Sequence, residues 1–254
     1  MSQENLTVNK SLKVSKKEIL DDFLLMNVSR NISYIGRKEV FMGRAKFGVF
    51  GDGKELPQIA MSKFFRNGDF RSGYYRDQTF MMSINQLTPD QFFAQLYAHT
   101  DIKKDPHSGG RQMNCHFGTR LLNENGDWKT QTDMMNSVSD ISCVSGQMPR
   151  IVGLAYASKL YRNNKNLSDM ENFSINGNEV VFGTIGDAST SEGHFWEAIN
   201  ACGVLQVPLI MSIWDDGYGI SVPSEYHTTR NDLSKALSGF QRSSKKENGY
   251  EIFT

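Results

Sequence analysis

The stretch EVVFGTIGDASTSEGHFWEAINACGVLQVPLIMSIWDDGYGIS, residues 179–221, restricts the possible folds of this chain more than any other. An apolar run of strand length, Val180 to Ile185, is followed by a segment in which Phe195, Ile199 and Cys202 recur at helical spacing, and then by a second apolar run, Leu209 to Trp214. A helix between two strands is not a hairpin connection, so the strands are expected to lie parallel, joined by a right-handed crossover. The expected fold class is therefore α/β, a parallel sheet flanked by helices. Parallel strands end on the same edge of their sheet, and that carboxyl edge is where open α/β sheets bind ligands.

Each run stops at an acidic residue. Asp187 follows the first strand and Asp216 the second, which brings together two carboxylates 29 positions apart. Two oxygen donors beside glycine-rich turns suit Mg2+, a hard cation that keeps ligand positions for water and phosphate. A helix expected to start near Ser189 presents unpaired N–H groups and a positive dipole end to such phosphates. The spacing alone is also compatible with an aspartate that merely caps a helix.

Outside this unit, Ser15 and Glu18 read as a capping box ahead of an apolar face made of Ile19, Leu20, Phe23, Leu24 and Met26. Thr88, Pro89 and Gln91 start another helix, with Phe92, Phe93, Leu96 and Tyr97 expected on its buried face. KELPQIAMSKFF and QMPRIVGLAYASKLYRNN also read as helices, whereas GRAKFGVFGDGKE and HSGGRQMNCHFGTR are glycine-rich basic loops. Asp52 repeats the Gly-Asp lettering, but no crossover unit surrounds it and a turn is expected there. In ENGYEIFT a turn signal precedes β-prone residues, so Tyr250 to Thr254 are expected to begin a strand. Residues 1–15 read as a polar amino-terminal segment and 16–254 as a diphosphate-binding α/β domain truncated at its carboxyl end, the amino-terminal part of something longer.

Charge and composition narrow the function classes. Basic and acidic residues balance at 28 each, which leaves no long-range attraction to nucleic acid or anionic lipid. Neither a membrane span of about 18 apolar residues nor a secretory or transit peptide is visible. The expected location is cytoplasmic, and Cys115, Cys143 and Cys202, which form no CxxC pair, are expected to be buried thiols.

Four further motifs fall in an informative order: YRDQ (75–78), GGRQMNCHFG (109–118), QMPRIVGLAYA (147–157) and GYGISVP (217–223). With the GDASTSEG…WDDGYGIS stretch, which resembles the thiamine diphosphate motif that opens GDG and closes NN, they resemble one family. It is the thiamine diphosphate-dependent, decarboxylating dehydrogenase component of 2-oxo acid dehydrogenase complexes, of branched-chain 2-oxo acid or pyruvate type, in its α subunit or the α half of a fused α–β chain. The resemblance implies a thiamine diphosphate-binding fold, thiamine diphosphate and Mg2+ as cofactors, and oxidative decarboxylation of a 2-oxo acid with acyl transfer to a lipoyl carrier. It implies that the side chains of Asp187 and Asp216 and the backbone carbonyl of Tyr218 ligate the metal. Tyr75 and Arg76 would reach the diphosphate, Ala188 and Ser189 would lie against it, and backbone groups of Ser142 and Val144 would meet the aminopyrimidine, with Val144 holding the cofactor bent. The implied partners are a β part, in an α2β2-type assembly or a fused homodimer, and the lipoyl acyltransferase of the complex. In the family the catalytic glutamate comes from the β part and a substrate-handling histidine from a loop beyond residue 254, so this chain alone is expected to be inactive.

Two departures matter. Ala188 stands where glycine is usual in the wider family, and Asp215-Asp216 replace the closing pair of asparagines. Asp216 keeps the ligating oxygen but adds a negative charge, which is expected to tighten metal binding and loosen diphosphate binding. His116, in the basic loop, is a candidate for the substrate side, whereas His194 reads as a structural or surface residue. A transketolase-like transferase and a non-catalytic phosphate-binding α/β domain are the alternatives, with YRD and GGRQM favouring the dehydrogenase.

Overall fold

The computed structural model describes residues 14–254; most of the polar segment expected at 1–15 lies outside them. Along the chain come α1 (Lys16–Phe41), α2 (Glu55–Ser62), β1 (Phe70–Ser72), α3 (Gln78–Ser83), α4 (Pro89–Leu96), β2 (Asn136–Ser137), α5 (Gln147–Asn163), β3 (Val181–Gly186), α6 (Gly193–Leu205) and β4 (Leu209–Trp214). A small antiparallel pair, β5 (Tyr218–Gly219) and β6 (Val222–Pro223), and the short helix α7 (Leu233–Leu237) follow. β1 to β4 form one parallel sheet in the order β2-β1-β3-β4.

β3 is the centre of the fold because successive side chains of a strand point to opposite faces and both faces here are covered. Phe182 enters the core built by α1 to α4, with Phe65, Phe80 and Phe92. Val181 and Ile185 enter a second core with Met148 and Ile151 of α5 and Phe195 and Ile199 of α6. The α/β class and the parallel strand–helix–strand unit read from the sequence are what the chain adopts. No described helix is long and apolar enough to cross a membrane.

Several expectations need correction. Ser15 does cap α1, accepting from Glu18 N at 3.1 Å, but Ile19, Leu20, Phe23 and Leu24 are all more than half exposed. The inward stripe of α1 instead runs through Leu25, Val28 and Ile32. One and two turns earlier that stripe carries Asp22 and Glu18, both paired to Lys63 at 2.8 and 2.5 Å, so the apolar residues are rotated away from the body. α4 has its complete capping box and buries Phe92 and Leu96, yet Tyr97 is half-exposed and its hydroxyl donates to Glu39 at 2.7 Å. Tyr250 makes a single bridge to Gln241, and residues 251–254 form no strand. Cys115 and Cys202 are buried as expected, but Cys143, in the loop before α5, is exposed. Asp52 does lie in a turn, held by Arg37 at 2.7 Å.

Candidate functional site

The register of the sheet builds the site. Gly186 pairs with Trp214, so Asp187 and Asp215 leave β3 and β4 side by side, and Asp187 N donates to Trp214 O at 3.2 Å. The α-helix expected from Ser189 begins at Gly193; a 3-10 turn, Ala188–Ser191, precedes it. That turn forms because Thr190 returns both its N–H (3.0 Å) and its hydroxyl (2.6 Å) to the carbonyl of Asp187. The Asp187 side chain is then only 3% exposed, and its Oδ2 is buried without a donor. Burial pushes its carboxyl pKa up, and the charges of Asp215 and Asp216 add to that push against opposition from Ala188 N–H and His227. A buried carboxylate oxygen left unpaired is costly, and a bound cation would offset that cost.

Asp216 is half-exposed. Its Oδ1 accepts from Tyr218 N at 3.2 Å and its Oδ2 from Lys54 Nζ at 2.6 Å. Partial burial opposes ionisation of Asp216, but Lys54 outweighs it, and the pKa lies below the usual aspartate value. Asp215 folds back to accept from Gly217 N at 2.9 Å. Among the described residues no three His, Cys, Asp or Glu side chains converge into a metal cage. Two carboxylates with remaining positions for water and phosphate are the arrangement that Mg2+ accepts. The β5–β6 hairpin rests directly on the Ala188 turn: a Cβ on Gly219 would lie 2.7 Å from Ala188 Cβ.

Tyr75 and Arg76 occupy the loop after β1. The Arg76 guanidinium lies 5.1 Å from the Tyr75 ring centre, and the Tyr75 ring packs on Tyr74 at 5.0 Å. Below this loop is a buried ion cluster that the sequence did not disclose. Arg71 Nε donates to Asp77 Oδ2 at 2.8 Å, Nη1 and Nη2 reach Asp140 at 3.1 and 2.9 Å, and further bonds go to Ser137 Oγ and Tyr74 O. Asp77 Oδ2 also accepts from Thr184 Oγ1 of β3 at 2.5 Å, so the cluster ties β1 and β3 to the residues that bracket Tyr75 and Arg76. From the other side Gln58 donates to the Arg76 carbonyl at 2.8 Å, and Gly51 packs so closely that a Cβ there would lie 2.4 Å from the same oxygen.

The loop before α5 supplies the remaining candidates. Ser145, at φ 57°, donates its hydroxyl to Ser189 O at 2.5 Å, which clips this loop onto the Ala188 turn. Val144 is half-exposed beside it. The Ser142 hydroxyl meets His116 Nε2 at 3.0 Å, a side-chain contact that joins two candidates from different loops. His116 is buried, and its Nδ1 lies 3.2 Å from Asn114 O. A carbonyl only accepts, so the contact with Asn114 O places a proton on Nδ1. His194 is exposed on α6, away from these contacts. A cavity of about 1050 Å3 follows the outer side of β4 between Ile210, Ile213, Tyr250 and Phe253 and touches only Asp215 of the three aspartates.

A family model described as "Dehydrogenase E1 component" matches residues 25–252. The 2-oxoisovalerate dehydrogenase subunit alpha of Bacillus subtilis is 26% identical over 233 residues, covering 91% of this chain and 61% of that protein. The mitochondrial 2-oxoisovalerate dehydrogenase subunit alpha of Homo sapiens is 25% identical over 230 residues, 90% of this chain and 44% of that protein. The Caenorhabditis elegans counterpart is 27% identical over 199 residues, 78% and 38% respectively. The chain thus spans between about two fifths and three fifths of the length of these relatives.

Proposed function

Because the chain belongs to the dehydrogenase E1 component family, we propose that it is the cofactor-anchoring α part of a thiamine diphosphate-dependent 2-oxo acid dehydrogenase. The observation that carries this reading is Asp187, a buried carboxylate with an unpartnered oxygen at the carboxyl edge of β3, beside Asp216 and under the influence of its charge. Asp187, Asp216 and the Tyr218 carbonyl are the proposed Mg2+ ligands. Arg76, whose planar fork suits phosphate oxygens, and Tyr75 are the proposed diphosphate contacts, with Ala188 and Ser189 packed against the same group. Ser142 and Val144, on the loop clipped to Ser189, are the proposed contacts of the aminopyrimidine.

When bound, thiamine diphosphate supplies a carbon nucleophile for the keto group and an acceptor for the electron pair left when the carboxylate departs as CO2. The chain's own groups position and screen. The Arg71 cluster fixes the Tyr75–Arg76 loop, and the Gly219 contact holds the hairpin that carries Tyr218 against the Ala188 turn. His116 and Ser142, bonded to each other, sit together on the proposed substrate side.

The names of the relatives favour a branched-chain 2-oxo acid as substrate, and family membership supports a β part that completes the active site and a lipoyl acyltransferase that receives the acyl group. Family membership favours this reading over the transketolase-like transferase and the non-catalytic phosphate-binding domain. The test is CO2 release from carboxyl-labelled 2-oxo acids by the complete α and β parts. Release that requires thiamine diphosphate and Mg2+, with 2-oxoisovalerate preferred over pyruvate, is expected. No release from either acid would overturn the assignment.

A further inference from the structure

We propose that Lys54 is a cofactor-positioning residue: it is the countercharge of Asp216 in the free site and a cation for the diphosphate in the loaded one. The proposal rests on the site reading above and adds to it a residue 162 positions away from Asp216.

The contact between them is 2.6 Å, and its burial is asymmetric. The Lys54 side chain is 11% exposed whereas Asp216 is 51% exposed. An ion pair between two free surface side chains contributes little, because both must be ordered to form it. Here the lysine is already stripped of most water and held in place. Its turn is pinned at both ends: Gly51 N donates to Gln78 Oε1 at 3.1 Å, and Gly53 N donates to the carboxylate of Glu55, which Arg30 clamps at 2.5 and 2.7 Å. Gly51 also abuts the Arg76 carbonyl, so the turn that aims Lys54 at Asp216 is the one that packs on the proposed diphosphate arginine.

Charge gives this placement its purpose. An amide at position 216 would offer a metal the same oxygen without a charge, whereas the carboxylate sets an additional negative charge beside an anionic cofactor. Lys54 cancels it. When a divalent cation takes the Asp216 oxygen that Lys54 holds, it displaces the ammonium, whose three donors turn to the diphosphate. In the free protein, by the same logic, Lys54 and the metal compete for Asp216.

The test uses Mn2+ alone, followed by electron paramagnetic resonance, and thiamine diphosphate with Mg2+, followed by calorimetry. In Lys54→Gln, Mn2+ binding should tighten and thiamine diphosphate binding weaken, each about tenfold, the scale of a single charge interaction partly screened by water. Lys54→Met should agree, and Lys54→Arg should stay near wild type in both. Adding Asp216→Asn to Lys54→Gln should return cofactor affinity to within about threefold of wild type, because the uncompensated charge is gone. Unchanged Mn2+ and cofactor affinities in correctly folded Lys54→Gln, or losses that simply add in the double variant, would overturn the proposal. Asp187→Ala separates the two claims: if it abolishes metal binding while Lys54→Gln changes nothing, only the role of Lys54 fails, and if it too changes nothing, the site reading fails.

Discussion

Replacing Arg71 by methionine removes the guanidinium from a cluster in which Arg71 and Asp77 have no exposed surface and Asp140 has almost none. The structure shows five bonds lost, to Asp77, to both oxygens of Asp140, to Ser137 and to Tyr74. Summing them individually would overcount, since they share one group. The governing quantity is the cost of leaving buried carboxylates uncompensated, about 3–5 kcal/mol. That is a large share of a typical folding stability of roughly 5–15 kcal/mol. Burial already raises the pKa of Asp77, despite Arg71, so without Arg71 its carboxyl retains its proton to higher pH still. A raised folded-state pKa means that stability is lost as pH rises, so the deficit of Arg71→Met should be larger at pH 7 than at pH 5. Urea denaturation followed by circular dichroism at both pH values measures this. Adding Asp77→Asn and Asp140→Asn should recover part of the loss. A deficit below about 1 kcal/mol at pH 7 would show that the cluster is not the anchor described here.

Gly219→Ala places a methyl 2.7 Å from Ala188 Cβ and should weaken thiamine diphosphate binding at least about fivefold, with Ala188→Gly in the same chain restoring it; calorimetry showing no rescue would contradict the steric account. Asp105 accepts from His107 N, Ser108 N, Ser108 Oγ and Gly110 N, and although burial opposes ionisation, these donors lower its pKa. Its stabilisation is therefore present above the ordinary aspartate value and lost as pH falls through the lower folded one. Asp105→Asn should cost about 1–3 kcal/mol at pH 7, a difference that shrinks below about pH 3.9. A difference independent of pH in urea titrations would refute the linkage. Burial pushes the Cys202 thiol up to about 11 and Cys115 beyond the usual range, so a disulfide reagent at pH 8 should modify Cys143 alone in the native protein and all three thiols after denaturation.

The strand–helix–strand unit was legible because both strands are six-residue apolar runs and their shared edge follows from parallel pairing. β1 was not, since it is three residues long and two of them, Arg71 and Ser72, are buried polar groups. Nothing local marks Arg71 as internal; its partners Asp77 and Asp140 come from two different loops. The start of α6 was placed too early because Thr190 closes a turn on Asp187 that periodicity does not register. In α1 the Ser15 cap was read correctly, but Glu18 turns to Lys63 instead of closing the box, and the face was misread because charged residues anchored to Lys63, and not apolar ones, hold its first turns. Asp187 and Asp216 were singled out from topology, whereas Lys54 depends on a tertiary approach that no sequence spacing encodes.

In the proposed function, the carboxyl edge of β3 and β4 anchors a metal-bound diphosphate through Asp187. Calorimetric titration of thiamine diphosphate, with and without Mg2+, into the wild-type protein and Asp187→Ala tests it most directly. Binding that requires Mg2+ and falls at least about tenfold in the variant, with an unchanged circular dichroism spectrum, is the predicted result. Equal affinity in the two proteins, or binding indifferent to Mg2+, would contradict it.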